Sequence, residues 1–222
     1  CEPMNPAPPV TIARTADYPT AAPMFVTFEG VDGSGKTTQA RLLAEGFRAE
    51  GREVVLTREP GGTALGERVR EIVLWGRDAI APWAEAALFA AARAQLVDEV
   101  IRPGLARGAD VVCERYLDSS LAYQGLARGL GIERVLDLNL LATAGLLPDR
   151  TFLLDVPVEG AIARGKEELD RIEREGRAFL AEVDRAYREL AGLFPQRVIV
   201  VDGTRKPEDI AQEIRGQLRD LP

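Results

Sequence analysis

Eight residues constrain this chain more than any others: Gly30-Val31-Asp32-Gly33-Ser34-Gly35-Lys36-Thr37, followed by Thr38. They fit the spacing glycine, four residues, Gly-Lys-Thr, and they lie between an apolar run at Met24–Phe28 and a helical pattern at Lys36–Glu50. Glycines spaced in this way let a backbone wrap a phosphate in conformations that other residues resist. Successive N–H groups then form an anion nest, and the following helix adds the positive end of its dipole. Lys36 sets a charge against terminal phosphates, and the Thr37 hydroxyl suits a magnesium ion bridging phosphate oxygens. The bland alternative is a glycine-rich turn joining strand to helix, but it leaves Lys-Thr in register unexplained.

The rest of the chain extends this strand–loop–helix unit. Short β-type runs occur at Met24–Phe28, Glu53–Thr57, Asp110–Glu114, Thr151–Val156 and Arg197–Val201. Helical spacing occurs at Lys36–Glu50, Ala64–Leu74, Pro82–Arg102, Ile132–Ala144 and Pro207–Leu218, with a charged, helix-rich stretch over 157–194. Apolar strands joined by helical crossovers predict an α/β fold: a five-stranded parallel sheet covered by helices on both faces. Residues 1–23 stand apart, with prolines at 3, 6, 8, 9, 19 and 23 and no periodicity. They read as a disordered tail or an appended extension, leaving one domain over 24–222.

Composition narrows the chemistry. Net charge is −7, from 28 basic and 35 acidic side chains. Nucleic-acid binders carry a basic excess, so nucleic acid is not expected as a partner. No apolar stretch approaches membrane-spanning length. Histidine is absent, which removes mechanisms with a histidine base or a histidine-bound metal. The two cysteines, Cys1 and Cys113, make no disulfide framework, which fits a reducing cytoplasm. Cys113, in Val111-Val112-Cys113, reads as a small buried hydrophobe. No guanine-reading Asn-Lys-x-Asp segment accompanies the phosphate loop, and the chain is short for a motor or transporter. A small kinase is the natural reading.

Five segments, in order, resemble the signatures of bacterial thymidylate kinases. They are Phe28–Thr38 around the loop, Leu56-Thr57-Arg58-Glu59-Pro60-Gly61-Gly62-Thr63, Leu88-Phe89-Ala90-Ala91-Ala92-Arg93-Ala94-Gln95, Glu114–Gly125, and Glu168-Leu169-Asp170-Arg171-Ile172-Glu173 in the lid, about 157–176. The resemblance implies transfer of the ATP γ-phosphate to dTMP, giving dTDP and ADP, with Mg2+, in dTTP biosynthesis. It also implies the nucleoside-monophosphate-kinase variant of the P-loop NTPase fold, and a homodimer.

Carried over residue by residue, the resemblance places ATP on Gly30, Val31, Asp32, Gly33, Ser34, Gly35, Lys36, Thr37 and Thr38. Asp32 would meet the 3′-hydroxyl of dTMP, Arg58 would lie near its phosphate, Phe89 would stack on thymine and Arg93 would contact the base. Pro60 lies in a tight turn where the family often has a cis peptide. Glu114 and Arg115 follow an apolar strand, and the carboxyl end of a parallel strand faces the ligand crevice. Arg115 suits a phosphate held by two parallel hydrogen bonds. Ser119, Ser120, Tyr123 and Gln124 would orient base and sugar, with the share of the two serines left open. Thr37 and Glu114 would serve the metal, although Glu114 stands where the family more often has aspartate.

Phosphoryl transfer asks for alignment and charge compensation. Some family members place an arginine in the phosphate loop; Asp32-Gly33-Ser34 has none. The missing cation is then expected from the lid, whose candidates are Arg164, Lys166 and Arg171. Lys166 stands where arginine is commoner and cannot make the same bidentate contact. Lys36, Arg115, Arg164 and Arg171 are therefore the expected catalytic cations. The loop after the last strand, Val201-Asp202-Gly203-Thr204, is expected beside adenine. Two other readings stand alongside: a deoxynucleoside kinase with Glu29 or Glu114 as base, and a non-catalytic nucleotide-binding regulator.

Overall fold

The computed structural model describes residues 22–164 and 169–219. The tail before residue 22, together with Lys166 and Glu168 of the lid, lies outside the described residues.

The first strand, β1 (Phe25–Glu29), is buried along its whole length and occupies the middle of the sheet. Side-chain alternation sends Phe25 into one core and Val26 and Phe28 into the other. Helix α1 (Lys36–Ala49) leaves the glycine-rich loop and returns the chain to β2 (Val54–Arg58). Next come α2 (Ala64–Arg70), α3 (Pro82–Leu96) and α4 (Arg102–Ala106), leading to β3 (Asp110–Glu114). α5 (Leu117–Ser120), α6 (Ile132–Ala142), β4 (Arg150–Asp155) and α7 (Val158–Ala163) follow, then α8 (Arg177–Leu193), β5 (Val198–Asp202) and α9 (Pro207–Arg219). The five strands pair in parallel in the order β2-β3-β1-β4-β5. The expected α/β sheet is thus present, and strand limits move by one residue at most.

One face of the sheet receives α1 and α9 through Ala40, Leu43, Phe47, Ile210, Ile214 and Leu218. The other face receives α3, α5 and α8 through Leu96, Leu117, Val183 and Leu190. Burying each such leucine or phenylalanine contributes about 1.5–3 kcal/mol, which is why five-residue strands suffice. Cys113 lies fully buried in this second core.

The helices depart from the expected pattern at wide turns. The single helix expected over Pro82–Arg102 opens into a π turn at Val97–Ile101 before α4 starts. Pro103 carries no N–H to continue a regular ladder there. The helix expected over Ala64–Leu74 likewise opens at Glu71–Trp75. Its carbonyls at Val73 and Leu74 are taken by the lid residue Arg171, through Nε and the backbone N–H, each at 2.8 Å. The helix over Leu117–Ala127, α5 plus a π turn from Leu121, was not anticipated. Leu117 and Leu121, at i and i+4 and fully buried, were the available signal.

Beneath α5, Arg197 forms a two-pronged pair with buried Asp118 (2.6 and 2.7 Å) and donates to Thr151 Oγ1 at 2.8 Å. Thr151 Oγ1 in turn lies 2.7 Å from Thr27 Oγ1. This cluster ties β5, α5, β4 and β1 together. Arg197→Met would strand Asp118 as a buried, unpaired charge. We expect a loss of about 3–5 kcal/mol, read as a calorimetric Tm lower by several degrees; an unchanged Tm would show the pair to be dispensable.

Candidate active site

The strand order reverses at β1: the chain first builds β2 and β3 on one side, then β4 and β5 on the other. A crevice at the carboxyl ends of the strands follows from that reversal. It is a cleft of ≈ 600 Å³ that runs from the glycine-rich loop, past Pro60 and Phe89, to Gln124. Most of the expected site residues line it, from Asp32 through Thr38 in the loop to Arg58, Glu114, Ser119, Ser120 and Tyr123.

The loop is shaped by close approach. Gly33 has φ +83°, and a Cβ there would drive into the carbonyl of Ala161 on α7. Only glycine fits both the conformation and the space. Lys36, at the start of α1, donates to the carbonyls of Gly30 (3.0 Å) and Val31 (2.9 Å) and pairs with Asp32 at 3.5 Å. Burial, and then the charge of Arg115, hold its ammonium down to about 8. Thr37 Oγ1 donates to Glu114 Oε2 at 2.8 Å, so two oxygen ligands from α1 and β3 meet beside Lys36. That is a hard-oxygen pair of the kind magnesium accepts, so these residues fit the metal. Asp32, Asp170 and Glu173 also bring ligand atoms within 4.8 Å of one another. There, however, Asp32 is engaged by Arg115, and Asp170 and Glu173 cap each other's backbone N–H groups.

Arg115 sits just after β3 with φ 65°, unusual for a residue with a side chain. Its N–H continues the sheet ladder to Phe28 O at 2.9 Å. Its guanidinium donates to Asp32 (2.8 Å), Tyr187 OH (2.9 Å) and Ser119 Oγ (3.1 Å). These bonds over-determine a backbone state that costs about 1–3 kcal/mol. Partial burial works against the charge of Asp32, yet Arg115 and Lys36 hold it well below the usual carboxylate range.

Behind Arg115 lies Glu29, the last residue of β1 and 1% exposed. It accepts from Tyr116 N (2.7 Å), Ser119 N (3.2 Å), Ser119 Oγ (2.6 Å) and Tyr187 OH (2.8 Å). Burial, then the neighbouring Asp118, push its pKa up. Tyr187 comes from α8, and no motif marks it. The hydroxyl partner of a buried tyrosine was the only signal, and it shows only once the fold is known.

Two expectations change here. Arg93 does not reach the cleft wall. It is 1% exposed, and its donors go to Glu59 Oε2 (2.8 Å), Ser120 Oγ (3.0 Å), Tyr116 O (2.9 Å) and Asn139 Oδ1. A second contact to Glu59 Oε2 spans 2.6 Å. A buried guanidinium needs its donors satisfied, and the fold satisfies them from within. Arg171 likewise does not line the cleft; its donors go to Glu85, Val73 and Leu74. Arg164, by contrast, lines the cleft near Gly203, as does Arg205, which was not anticipated. Arg58 lines it too while pairing with Glu67 at 3.1 Å, and Arg70 donates to Pro60 O at 3.0 Å. The Glu59–Pro60 peptide is cis.

Three comparisons bear on this cleft. A sequence profile described as "Thymidylate kinase" matches residues 28–214. Among similar proteins, "Thymidylate kinase" of Clavibacter michiganensis is 49% identical over 201 residues, 89% of this chain and 95% of that one. The same-named protein of Thermosipho africanus is 46% identical over 193 residues, 86% of this chain and 96% of that one. A crystal structure of thymidylate kinase from Ehrlichia chaffeensis superposes with a TM-score of 0.73 at 33% identity, covering 89% of this chain and 99% of that one.

Glu59 has one oxygen on Arg93, and the other, Oε1, is buried with no hydrogen-bond partner among the described residues. Burial pushes its carboxyl from 4.5 up to about 7, despite Arg93. Between those values the folded protein keeps a proton that the unfolded chain has lost. Stability therefore falls as pH rises through that window, by on the order of 3 kcal/mol in all. Glu59→Gln removes the titration. Calorimetry between about pH 5 and pH 8 should show the parent's Tm falling relative to the variant's; parallel curves would sink this assignment.

Proposed function

The chain belongs to the thymidylate kinase family, and on that premise we propose that the cleft aligns ATP on Gly30–Thr38 with dTMP on the Arg58, Phe89 and Arg115–Gln124 side. It is an ATP-dependent kinase that phosphorylates dTMP to dTDP in dTTP synthesis. The observation that carries the residue assignment is the continuity of the cleft. Phosphate loop and acceptor residues share one cavity, so two polyanions can meet end to end.

An oxygen of the dTMP phosphate attacks the γ-phosphorus of ATP. A new P–O bond forms, the bond to the bridging β–γ oxygen breaks, and that oxygen leaves with its electron pair on ADP. The attacking oxygen is already ionised near neutral pH, so no general base is needed. Lys36 neutralises the terminal phosphates, and their approach offers it a better partner than the two carbonyls it now holds. Arg115 holds the acceptor phosphate while Tyr187, Ser119 and Asp32 fix its guanidinium. Thr37 and Glu114 would hold Mg2+, which when bound offsets charge on the β- and γ-oxygens. Phe89 provides the stacking surface for thymine, and Gln124 a polar contact to its edge. Arg93 acts at one remove by fixing Ser120. Residues at Gly203 border adenine.

Of the two candidate lid arginines, Arg164 supplies charge at the transferred phosphoryl and Arg171 anchors the lid. The first lines the cleft and the second is engaged by Glu85. The protein acts in the cytoplasm as a homodimer. The family resemblance supports the dimer, as do the exposed Trp83 on α3 and Leu141 on the adjoining α6. No helix among the described residues is long and apolar enough to cross a membrane. Sedimentation equilibrium that finds only monomer would overturn the dimer.

A coupled assay should detect ADP release with dTMP and none with thymidine. Release with thymidine would favour a nucleoside kinase, and release with neither a regulator. Arg164→Ala should lower kcat at least about tenfold. Arg171→Ala should act chiefly on KM for dTMP. The reverse pattern would return the catalytic charge to Arg171.

A further inference from the structure

Glu85 lies one helical turn before Phe89 on α3, 1% exposed, with no place in the chemistry described above. Its Oε1 accepts from Gln124 Nε2 at 2.9 Å and from Arg128 Nε at 3.3 Å. Its Oε2 accepts from Arg128 Nη2 at 3.3 Å and from Arg171 Nη2 of the lid. Burial opposes its charge, but the bonds from Gln124 and Arg171 and the charge of Arg128 outweigh it and hold the carboxyl below its ordinary value. Glu85 therefore stays a carboxylate, which can only accept.

That has a consequence for Gln124. An amide can present either its oxygen or its NH2 to a ligand, and its environment decides which. The Glu85 carboxylate draws the NH2 to itself. The oxygen that remains, Oε1, takes no hydrogen bond from any described residue. It is not among the side-chain oxygens sealed off without a partner, and Gln124 lines the cleft. Gln124 thus offers the base an acceptor. A keto pyrimidine carries an N–H donor at N3; cytosine carries an acceptor there and an amino group at C4.

We propose that Glu85 is a specificity-determining positioning residue: by holding the Gln124 amide with its oxygen toward the cleft, it admits a base with N3–H and rejects an aminopyrimidine. The proposal rests on the reading that Gln124 meets the edge of the base. A site with a fixed acceptor repels a second acceptor and leaves both unpaired, a larger penalty than a missing methyl group. Thymine and uracil present the same N3–H, so this device does not tell them apart. The contact from Arg171 joins the same carboxylate to the lid.

The test compares dTMP, dUMP and 5-methyl-dCMP, the last keeping the thymine methyl while reversing the hydrogen-bonding edge. Kd and kcat/KM are measured on the parent protein, Glu85→Gln and Gln124→Leu. Glutamine at 85 can donate as well as accept, so the Gln124 amide is free to turn. The preference for dTMP over 5-methyl-dCMP should then shrink at least about tenfold, while the dTMP to dUMP ratio holds. If all three substrates weaken by one common factor, Glu85 is only structural and the proposal falls. If Gln124→Leu leaves dTMP binding unchanged, the base-contact reading fails first, and the proposal with it. Should Glu85→Gln not fold, the parent protein still decides: equal affinity for dTMP and 5-methyl-dCMP overturns the proposal.

Discussion

Everything at the phosphate end of this protein hangs on the carboxylate of Glu29. It ends β1, one residue before the glycine-rich loop begins, and it is sealed from water. Its two oxygens collect donors from the β3–α5 connection, from α5 and from α8. The donor side of the reaction begins at its own backbone, and the acceptor side is hydrogen-bonded to its side chain. A buried carboxylate is costly unless its lone pairs are filled, and that cost makes the arrangement specific. Shift α8 or the β3–α5 turn, and Glu29 loses the donors that make its burial tolerable.

The same economy runs through the cations. Lys36 and Arg93 are buried and Arg115 is partly so, and each is occupied by the protein itself. Arg93 is used up by structure, and Arg171 is held against α3. Lys36 and Arg115 are occupied by weaker stand-ins: two carbonyls, three hydroxyls and the carboxylate of Asp32. Phosphate oxygens are better partners than these, and the cations need not be drawn from water to meet them. That is preorganisation in the sense relevant to charge transfer.

What could be read from the chain alone follows distance along it. The glycine-rich loop is eight consecutive residues whose spacing carries its own physics, and it was legible at once. So were the strands, because short apolar runs alternating with helical patterns suit a buried parallel sheet and little else. The roles of Arg93 and Arg171 were not legible, since their partners lie elsewhere: Glu59 is 34 residues from Arg93, and Glu85 is 86 residues from Arg171. Tyr187 meets Glu29 across 158 positions, and no motif surrounds Tyr187. The helix over Leu117–Ala127 was hidden for another reason. Its serines, tyrosine and glycine invite a reading as site residues, and they obscured the buried leucines that make it a helix.

The fit of Gly33 against the Ala161 carbonyl bears on how such enzymes can change. A loop that carried its own arginine would need room where α7 now presses. An arginine grafted near this point would have to push α7 aside, and with it the start of the segment that carries Arg164. Loop and lid are therefore epistatic. Moving the compensating charge from one to the other takes concerted substitutions in two segments more than a hundred residues apart in the chain, not a single exchange. Lineages that settled on either arrangement would tend to keep it, for steric rather than chemical reasons.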